Sequence, residues 1–357
     1  MLRVRVSNAV SSVQLQLDAA TIGLRVAGSN DVVAGSLQKL TFNGRNSVTI
    51  PSGATFWSDP VPLKFDAFND LVINLHIPDF VGGIETGHIR ALTTNLILSG
   101  DQTKTQSIPA DVKSTNTTAW FFLQGVDVAA DMHASSVITV GDSITDGTKS
   151  TTDANHRYPD FLAQRFAAAH GVSTTASFSV LNAGISGNRI LHDGAGPDTF
   201  ARLERDVLTQ PGARYVILLE GVNDIATSNK PGNEMSPADL IGAYQQLTDR
   251  IHAAGMKLIV GTIMPFGLSG SFTDSGEQKR LAINQWIRTT KTLDGVLDFD
   301  AALRNPEHPI RLKDEFDSGD HIHPSDAGYA EMASVLDIAR FVGVYQPSES
   351  LQKKDKK

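Results

Sequence analysis

The hydrophobic period changes near Ala134, and that change constrains the fold more than any other feature of the chain. Before it, apolar residues alternate in short runs: Val13, Leu15, Leu17; Leu40, Phe42; Val48, Ile50; Leu71, Ile73, Leu75, Ile77. Side chains of a strand point alternately to opposite faces, so these runs predict half-buried strands. Turn signals fall between them at Asn43-Gly44, Pro51-Ser52-Gly53 and Val81-Gly82-Gly83. Strands at this spacing predict a sandwich or jelly roll. The run Trp120-Phe121-Phe122-Leu123 reads as a last strand, and no segment in this part shows a helical period.

After Ala134, strand and helix patterns alternate. Val137–Val140 is a short buried-type strand. Tyr158, Phe161, Leu162, Arg165, Phe166 and Ala169 then form one stripe, with Gly171 just past its end. Further apolar runs end at Leu181 and Leu219. Ser236-Pro237-Ala238-Asp239 is a helix start: Ser236 caps, Pro237 suits the first turn and Asp239 closes a capping box. Leu240, Tyr244, Leu247 and Ile251 follow at helical spacing, Gly255 ends the helix, and the strand Lys257–Val260 comes next. A helix is expected from Ser275 to Thr290, a short strand over Val296–Phe299, and a last helix capped by Ser325 and running to about Phe341. This alternation predicts a parallel sheet covered on both faces. The expected organisation is a β domain over 1–133, an α/β domain over 134–345 and a solvated, disordered tail over 346–357.

Composition narrows the function classes. The 357 residues are 41% hydrophobic and 20% charged, which suits a globular protein and argues against disorder. Acidic residues outnumber basic ones, 39 to 31, giving a formal charge of −8, whereas nucleic-acid binders usually carry a basic surplus. No apolar run approaches the roughly 18 residues a membrane-spanning helix needs. The chain has no cysteine, which excludes a disulfide scaffold, a thiolate metal site and a cysteine nucleophile. The first ten residues alternate and do not form a signal peptide. Compartment and oligomeric state are left open.

In a parallel sheet, ligands gather at the carboxyl ends of the strands. The first apolar run of the α/β part is followed by Gly141-Asp142-Ser143-Ile144-Thr145-Asp146-Gly147, the second by Asn182-Ala183-Gly184-Ile185-Ser186-Gly187-Asn188, and the third by Glu220-Gly221-Val222-Asn223-Asp224. Near the end lies Asp317-Ser318-Gly319-Asp320-His321-Ile322-His323-Pro324. A serine, small glycines, an asparagine and an Asp/His cluster are the parts of a nucleophilic hydrolase. His321 and His323 are two residues apart and either could be the base; Asp317 competes with Asp320 as its orienter. The His-x-His pattern with nearby carboxylates also suits zinc or iron, but no second ligand cluster appears earlier. Ser186 sits in the glycine block, and Asp142 and Asp224 read as turn residues. Gly184–Asn188 is not a Gly-x-Ser-x-Gly elbow, Gly147-Thr148-Lys149-Ser150 lacks the upstream glycine of a phosphate loop, and Gly194-Ala195-Gly196 lacks the third glycine of a dinucleotide loop.

From about Ser135 to Phe341 the chain resembles the SGNH (GDSL-type) hydrolase family of serine esterases. Its nucleophile block is matched by Gly141-Asp142-Ser143 with Thr145, Asp146 and Gly147. Its glycine block is matched by Asn182-Ala183-Gly184 through Gly187-Asn188, its asparagine block by Gly221–Asp224, and its terminal block by Asp320, His323 and Pro324, all in the family order. The N-terminal part resembles the appended β domain of a bacterial-type subgroup. The resemblance implies a three-layer α/β/α, flavodoxin-like domain with a parallel sheet. It implies Ser143 as nucleophile, His323 as base and Asp320 as its orienter. It places the oxyanion on the N–H groups of Ser143 and Gly187 and on the Asn223 amide. No cofactor and no metal are expected. The expected substrates are short-chain esters, acetyl above all, of carbohydrates or of small aryl and alkyl alcohols.

Two other readings stay in play. The β domain could be a carbohydrate-binding module with Trp57, Trp120 or Phe121 as stacking platforms, although the strand-like run favours a core position for these aromatics. Solvent exposure of Trp57 and Trp120 separates the two. Alternatively, the scaffold could be catalytically silent and serve interaction, against which all four blocks stand intact.

Overall fold

A computed structural model describes residues 1–78, 85–130, 133–170, 177–338 and 341. The expected tail over 346–357, the turn at Val81-Gly82-Gly83 and Gly171 lie outside the described residues. The chain forms two compact units, Met1–Asp131 and Met132–Lys357.

The first unit is antiparallel throughout. Its strands are β1 (Leu2–Ser7), β2 (Leu15–Leu17), β3 (Ala19–Leu24), β4 (Gln38–Leu40), β5 (Val48–Ile50), β6 (Thr55–Trp57), β7 (Leu71–His76), β8 (Gly87–His88), β9 (Asn95–Leu98), β10 (Ser114–Thr117), β11 (Trp120–Phe121) and β12 (Leu123–Val128). Strand β1 lies between β12 and β6, and β3 lies between β4 and β7. Alternation explains the core: Leu2, Val4 and Val6 point inward and join Leu15, Leu17, Ile22, Leu40 and Ile50. The outward row of β1 carries Arg3 and Arg5, whose guanidinium groups both reach Asp127 on β12.

The run from Trp120 to Leu123 is not one strand. Phe122 takes a left-handed φ of 60°, which breaks the run into the short β11 and the longer β12. The expectation of core positions for the aromatics also needs correction. Trp57 is 45% and Trp120 38% exposed, while Phe121 packs at the edge of the core. Each tryptophan sits at the exposed face of a strand whose neighbouring residues point the other way.

The second unit is built on a five-stranded parallel sheet. Its strands are β13 (Ser135–Gly141), β14 (Phe178–Gly184), β15 (Ala213–Leu219), β16 (Lys257–Gly261) and β17 (Gly295–Leu297). The spatial order β14-β13-β15-β16-β17 reads 2-1-3-4-5 by appearance, the flavodoxin-like arrangement. Every residue of β13 is buried, so both faces of the sheet are covered. The helices are α1 (Ser143–Asp146), α2 (Tyr158–Ala169), α3 (Thr199–Leu203), α4 (Val222–Thr227), α5 (Pro237–Ala253), α6 (Asp274–Thr289), α7 (Phe299–Leu303) and α8 (Asp326–Ser334). Helix α2 packs on β14 and α8, and α5 packs on β16 and α6. The capping box of α5 forms as expected, with the Asp239 carboxylate accepting from the Ser236 N–H at 2.7 Å.

Two elements are shorter than their apolar pattern. Strand β17 stops at Leu297 because Asp298 turns to cap α7, its side chain accepting from the Ala301 N–H at 3.1 Å. Helix α8 ends at Ser334, well before Phe341. The Arg165 guanidinium takes up the carbonyls of Ala333 and Leu336 there, so the chain can leave the helix without stranding them.

Glycines let α1 sit against the sheet ends. A Cβ at Gly184 would fall 2.2 Å from the Asp146 backbone nitrogen, and one at Gly141 would fall 2.1 Å from the Leu219 carbonyl oxygen. Neither obstacle is a side chain that could swing away. Gly184→Ala is therefore expected to destabilise the protein by about 1–3 kcal/mol or more. Urea unfolding measures this; an unchanged midpoint would mean that α1 is not seated on β14.

Candidate active site

The topological switch of the sheet lies between β13 and its neighbours β14 and β15, and the three chemistry-bearing turns leave from those strand ends. Ser143 is the first residue of α1, held by the preceding turn. The Asp142 side chain accepts from the Ile144 N–H at 2.9 Å, and Gly147 closes the helix with φ +97°. Ser143 opens the helix, so its own N–H has no acceptor within it.

The opposing loop, 317–324, is shaped by two carboxylates. Asp317 accepts from the backbone N–H of Gly319 at 2.8 Å and of His321 at 3.0 Å, and its other oxygen lies 2.6 Å from His321 Nδ1. Asp320 accepts from the N–H of Ile322 at 3.2 Å and of His323 at 2.9 Å, and its other oxygen lies 2.8 Å from His323 Nδ1. The loop thus holds two interleaved Asp–His pairs. His321 takes φ +65°, a left-handed conformation that lets successive imidazoles engage different carboxylates.

Only one of these pairs reaches the serine. His323 Nε2 lies 2.7 Å from Ser143 Oγ. The alternatives left by the sequence therefore divide: Asp320 pairs with His323 beside Ser143, and Asp317 pairs with His321. Burial pushes the Asp320 carboxyl upward. Hydrogen bonds from the His323 amide and ring, attraction to that ring and the Ile322 amide outweigh burial and hold it below its ordinary value. An ionised Asp320 can only accept, so His323 carries its proton on Nδ1. Its Nε2 then accepts from the Ser143 hydroxyl. The half-exposed Lys149 ammonium lies 4.0 Å from Asp320, where solvent screens it.

The glycine and asparagine blocks leave the two strand ends that flank β13 and meet each other. Gly187 has φ +82°, and a Cβ there would press on Ala195 at 3.0 Å. Asn223, at the start of α4, donates from Nδ2 to the Asn188 carbonyl at 3.0 Å, which leaves its second amide N–H for another acceptor. Ser186 is tied down, its N–H and hydroxyl both donating to Asp146 at 2.9 and 2.6 Å. Asp224 accepts from the N–H groups of Ile190 and Leu191 at 3.1 and 2.9 Å, fixing the chain that follows the glycine block.

Arg202 was not legible as part of this region. It is 1% exposed, and its guanidinium donates to the carbonyls of Gly141 at 3.1 Å and Ala183 at 2.6 Å and to Asn188 Oδ1 at 2.9 Å. One side chain thereby joins the ends of β13 and β14 to the glycine block. Nothing in the residues around it set it apart, because a buried polar side chain leaves no mark on the apolar period. Among the described residues, no three His, Asp or Glu side chains gather as metal ligands would.

A hydroxyl aligned on an imidazole, with amide donors nearby, suits acyl transfer. Among the described residues no helix is long and apolar enough to cross a membrane. A model of the GDSL-like Lipase/Acylhydrolase family matches residues 139–331. No curated protein matches the chain. Similar solved structures include an acetyl xylan esterase from Geobacillus stearothermophilus, at 21% identity over 59% of this chain and 97% of that one, with TM-score 0.44. They also include the native aryl esterase of M. smegmatis, at 18% identity over 59% and 100%, with TM-score 0.46. A GDSL-like lipase from Bacteroides thetaiotaomicron matches at 18% identity over 59% and 89%, with TM-score 0.42. The family match spans more than half of the sequence and contains the serine, the glycine block, the asparagine and the Asp–His loop, so the chain belongs to the GDSL-like lipase/acylhydrolase family of carboxylic-ester hydrolases.

Proposed function

We propose that this enzyme hydrolyses short-chain carboxylic esters, acetyl esters of carbohydrates or of small aryl and alkyl alcohols, through an acyl-Ser143 intermediate. The observation that carries the reading is the chain of two hydrogen bonds, 2.7 Å from Ser143 Oγ to His323 Nε2 and 2.8 Å from His323 Nδ1 to Asp320. His323 takes the hydroxyl proton as Oγ attacks the ester carbonyl. The oxyanion is met by the N–H groups of Ser143 and Gly187 and the free amide N–H of Asn223. The C–O bond to the alcohol then breaks, and His323 returns the proton to the leaving oxygen. Water repeats the sequence on the acyl-enzyme, releasing the acid and restoring the serine. Asp320 stabilises the imidazolium in both halves.

The preference for short acyl groups is carried over from the family resemblance. For the β unit, the exposure of Trp57 and Trp120 favours the second reading, a carbohydrate-binding module in which an exposed indole stacks on a sugar ring.

Five measurements test these assignments. Ser143→Ala is expected to lower p-nitrophenyl acetate turnover by at least about 10³-fold with unchanged thermal unfolding. Asp320→Asn should cost about 10²–10⁴-fold, and Asp317→Asn much less, because its histidine does not touch Ser143; the reverse order would transfer the orienting role to Asp317. Asn223→Ala should lower kcat by about 10²–10³-fold. In a series of acyl lengths, kcat/KM is expected to fall beyond butyryl, and a maximum at octanoyl would overturn the short-chain reading. Trp57→Ala and Trp120→Ala should weaken retention on insoluble acetylated xylan while p-nitrophenyl acetate turnover persists. Equal retention of wild type and both variants would remove the glycan-binding reading.

A further inference from the structure

Two buried carboxyl groups lie beneath the site, and the mechanism above uses neither. The register pairs Gly141 of β13 with Leu219 of β15, so the next residues, Asp142 and Glu220, leave the sheet side by side. One immediately precedes Ser143; the other stands three residues before Asn223. Both are 1% exposed. Each also has an oxygen with no hydrogen-bond donor among the described protein groups, Oδ2 of Asp142 and Oε1 of Glu220. Buried acceptors are rarely left so, because each unmade bond carries its desolvation cost.

The surrounding groups do not supply what is missing. Arg202 directs its donors at carbonyls, Asn188 and Asp206, and comes no nearer to Glu220 than 3.9 Å. Thr199 donates to the other Glu220 oxygen, Oε2. The Tyr244 hydroxyl donates at 2.5 Å to the Glu220 backbone carbonyl, not to its side chain. The charged groups felt from neighbouring elements are mostly of the wrong sign: Asp224 and Asp198 act on Glu220, and Asp224 and Asp146 act on Asp142. Two ionised carboxylates here would share a single nearby cation in a medium that screens poorly.

We propose that Asp142 and Glu220 hold one proton between them, as a carboxylic acid hydrogen-bonded to a carboxylate, and that this bond ties the Ser143 turn to the Asn223 loop. One proton supplies both missing partners, the hydroxyl of one carboxyl donating to the idle oxygen of the other. It leaves a single negative charge opposite Arg202. The positioning role rests on the esterase reading; the shared proton does not. Its energetic sense agrees. Burial, with repulsion from Glu220, pushes Asp142 well above its ordinary value. Burial also lifts Glu220 to about 7, against the pull of Arg202 and Thr199. The proton belongs to the pair and not to either residue alone.

Infrared difference spectra of the whole protein at about pH 7 test this directly. Wild type minus Glu220→Gln and wild type minus Asp142→Asn should each show the loss of one protonated-carboxyl C=O band. Both substitutions keep the shape, and asparagine still caps α1. No such band in wild type, or a band that survives both substitutions, overturns the shared proton. Stability gives a second readout. A carboxyl raised from 4.5 to about 7 makes the native state the better proton binder in that interval, so stability falls as pH rises through it and then levels. The urea midpoint of wild type should therefore decline relative to Glu220→Gln from about pH 5 to 8; parallel curves count against the proposal. For positioning, Glu220→Ala is expected to lower kcat about tenfold at little change in KM, with Glu220→Gln recovering most of it through an amide N–H. A loss not recovered by glutamine removes the positioning role. If Ser143→Ala keeps its activity, the esterase site is wrong while the spectra still read the pair.

Discussion

Everything at the site depends on three parallel strands ending level with one another. Gly141 stands opposite Gly184 on one side and Leu219 on the other. Where strands run in the same direction and stop in register, the turns that follow open on the same edge of the sheet. The nucleophile, glycine and asparagine blocks are those turns. Their proximity is thus a property of the sheet, and the local residues only refine it. Arg202 refines it by collecting two of the strand-end carbonyls, and the glycines refine it by letting backbones approach.

The loop carrying His323 works on a different principle. It has no regular structure to lean on, so its carboxylates gather backbone N–H groups and leave one oxygen each for an imidazole. Asp317 and Asp320 therefore fold the loop and aim its rings at once. Hydrogen bonding to the charged form keeps Asp320 ionised despite partial burial, and the ionised form is the one that fixes the imidazole tautomer.

The parts of this organisation that were legible in the residues are those set by period and by local chemistry. Continuous apolar strands, capped helices and the four blocks depend on neighbours in sequence, and the helix from Pro237 and the strand from Ser135 follow from them. What escaped depends on partners far away. Asp298 ended β17 early, Phe122 broke a run that alternation made continuous, and α8 stopped where Arg165 could take its carbonyls. The residues alone left His321 and His323 open, and only the family spacing with Pro324 favoured His323, because the choice turns on which ring faces a serine 180 residues back. Arg202 and Glu220 resembled ordinary charged residues, since burial of a polar side chain leaves no periodic trace. Trp57 and Trp120 misled in the opposite sense, being large and apolar yet outward.

Ser143 follows the first strand of the second unit, and His323 lies in the loop that precedes its last described helix, α8. They lie 180 residues apart, so a chain that stops before residue 323 has no imidazole to set against the serine. On a ribosome, the nascent polypeptide stays chemically inert until its final elements emerge and dock. Because Tyr329, Met332 and Phe341 of the core follow His323 in the chain, truncation from the C-terminal side disturbs packing before it reaches the imidazole.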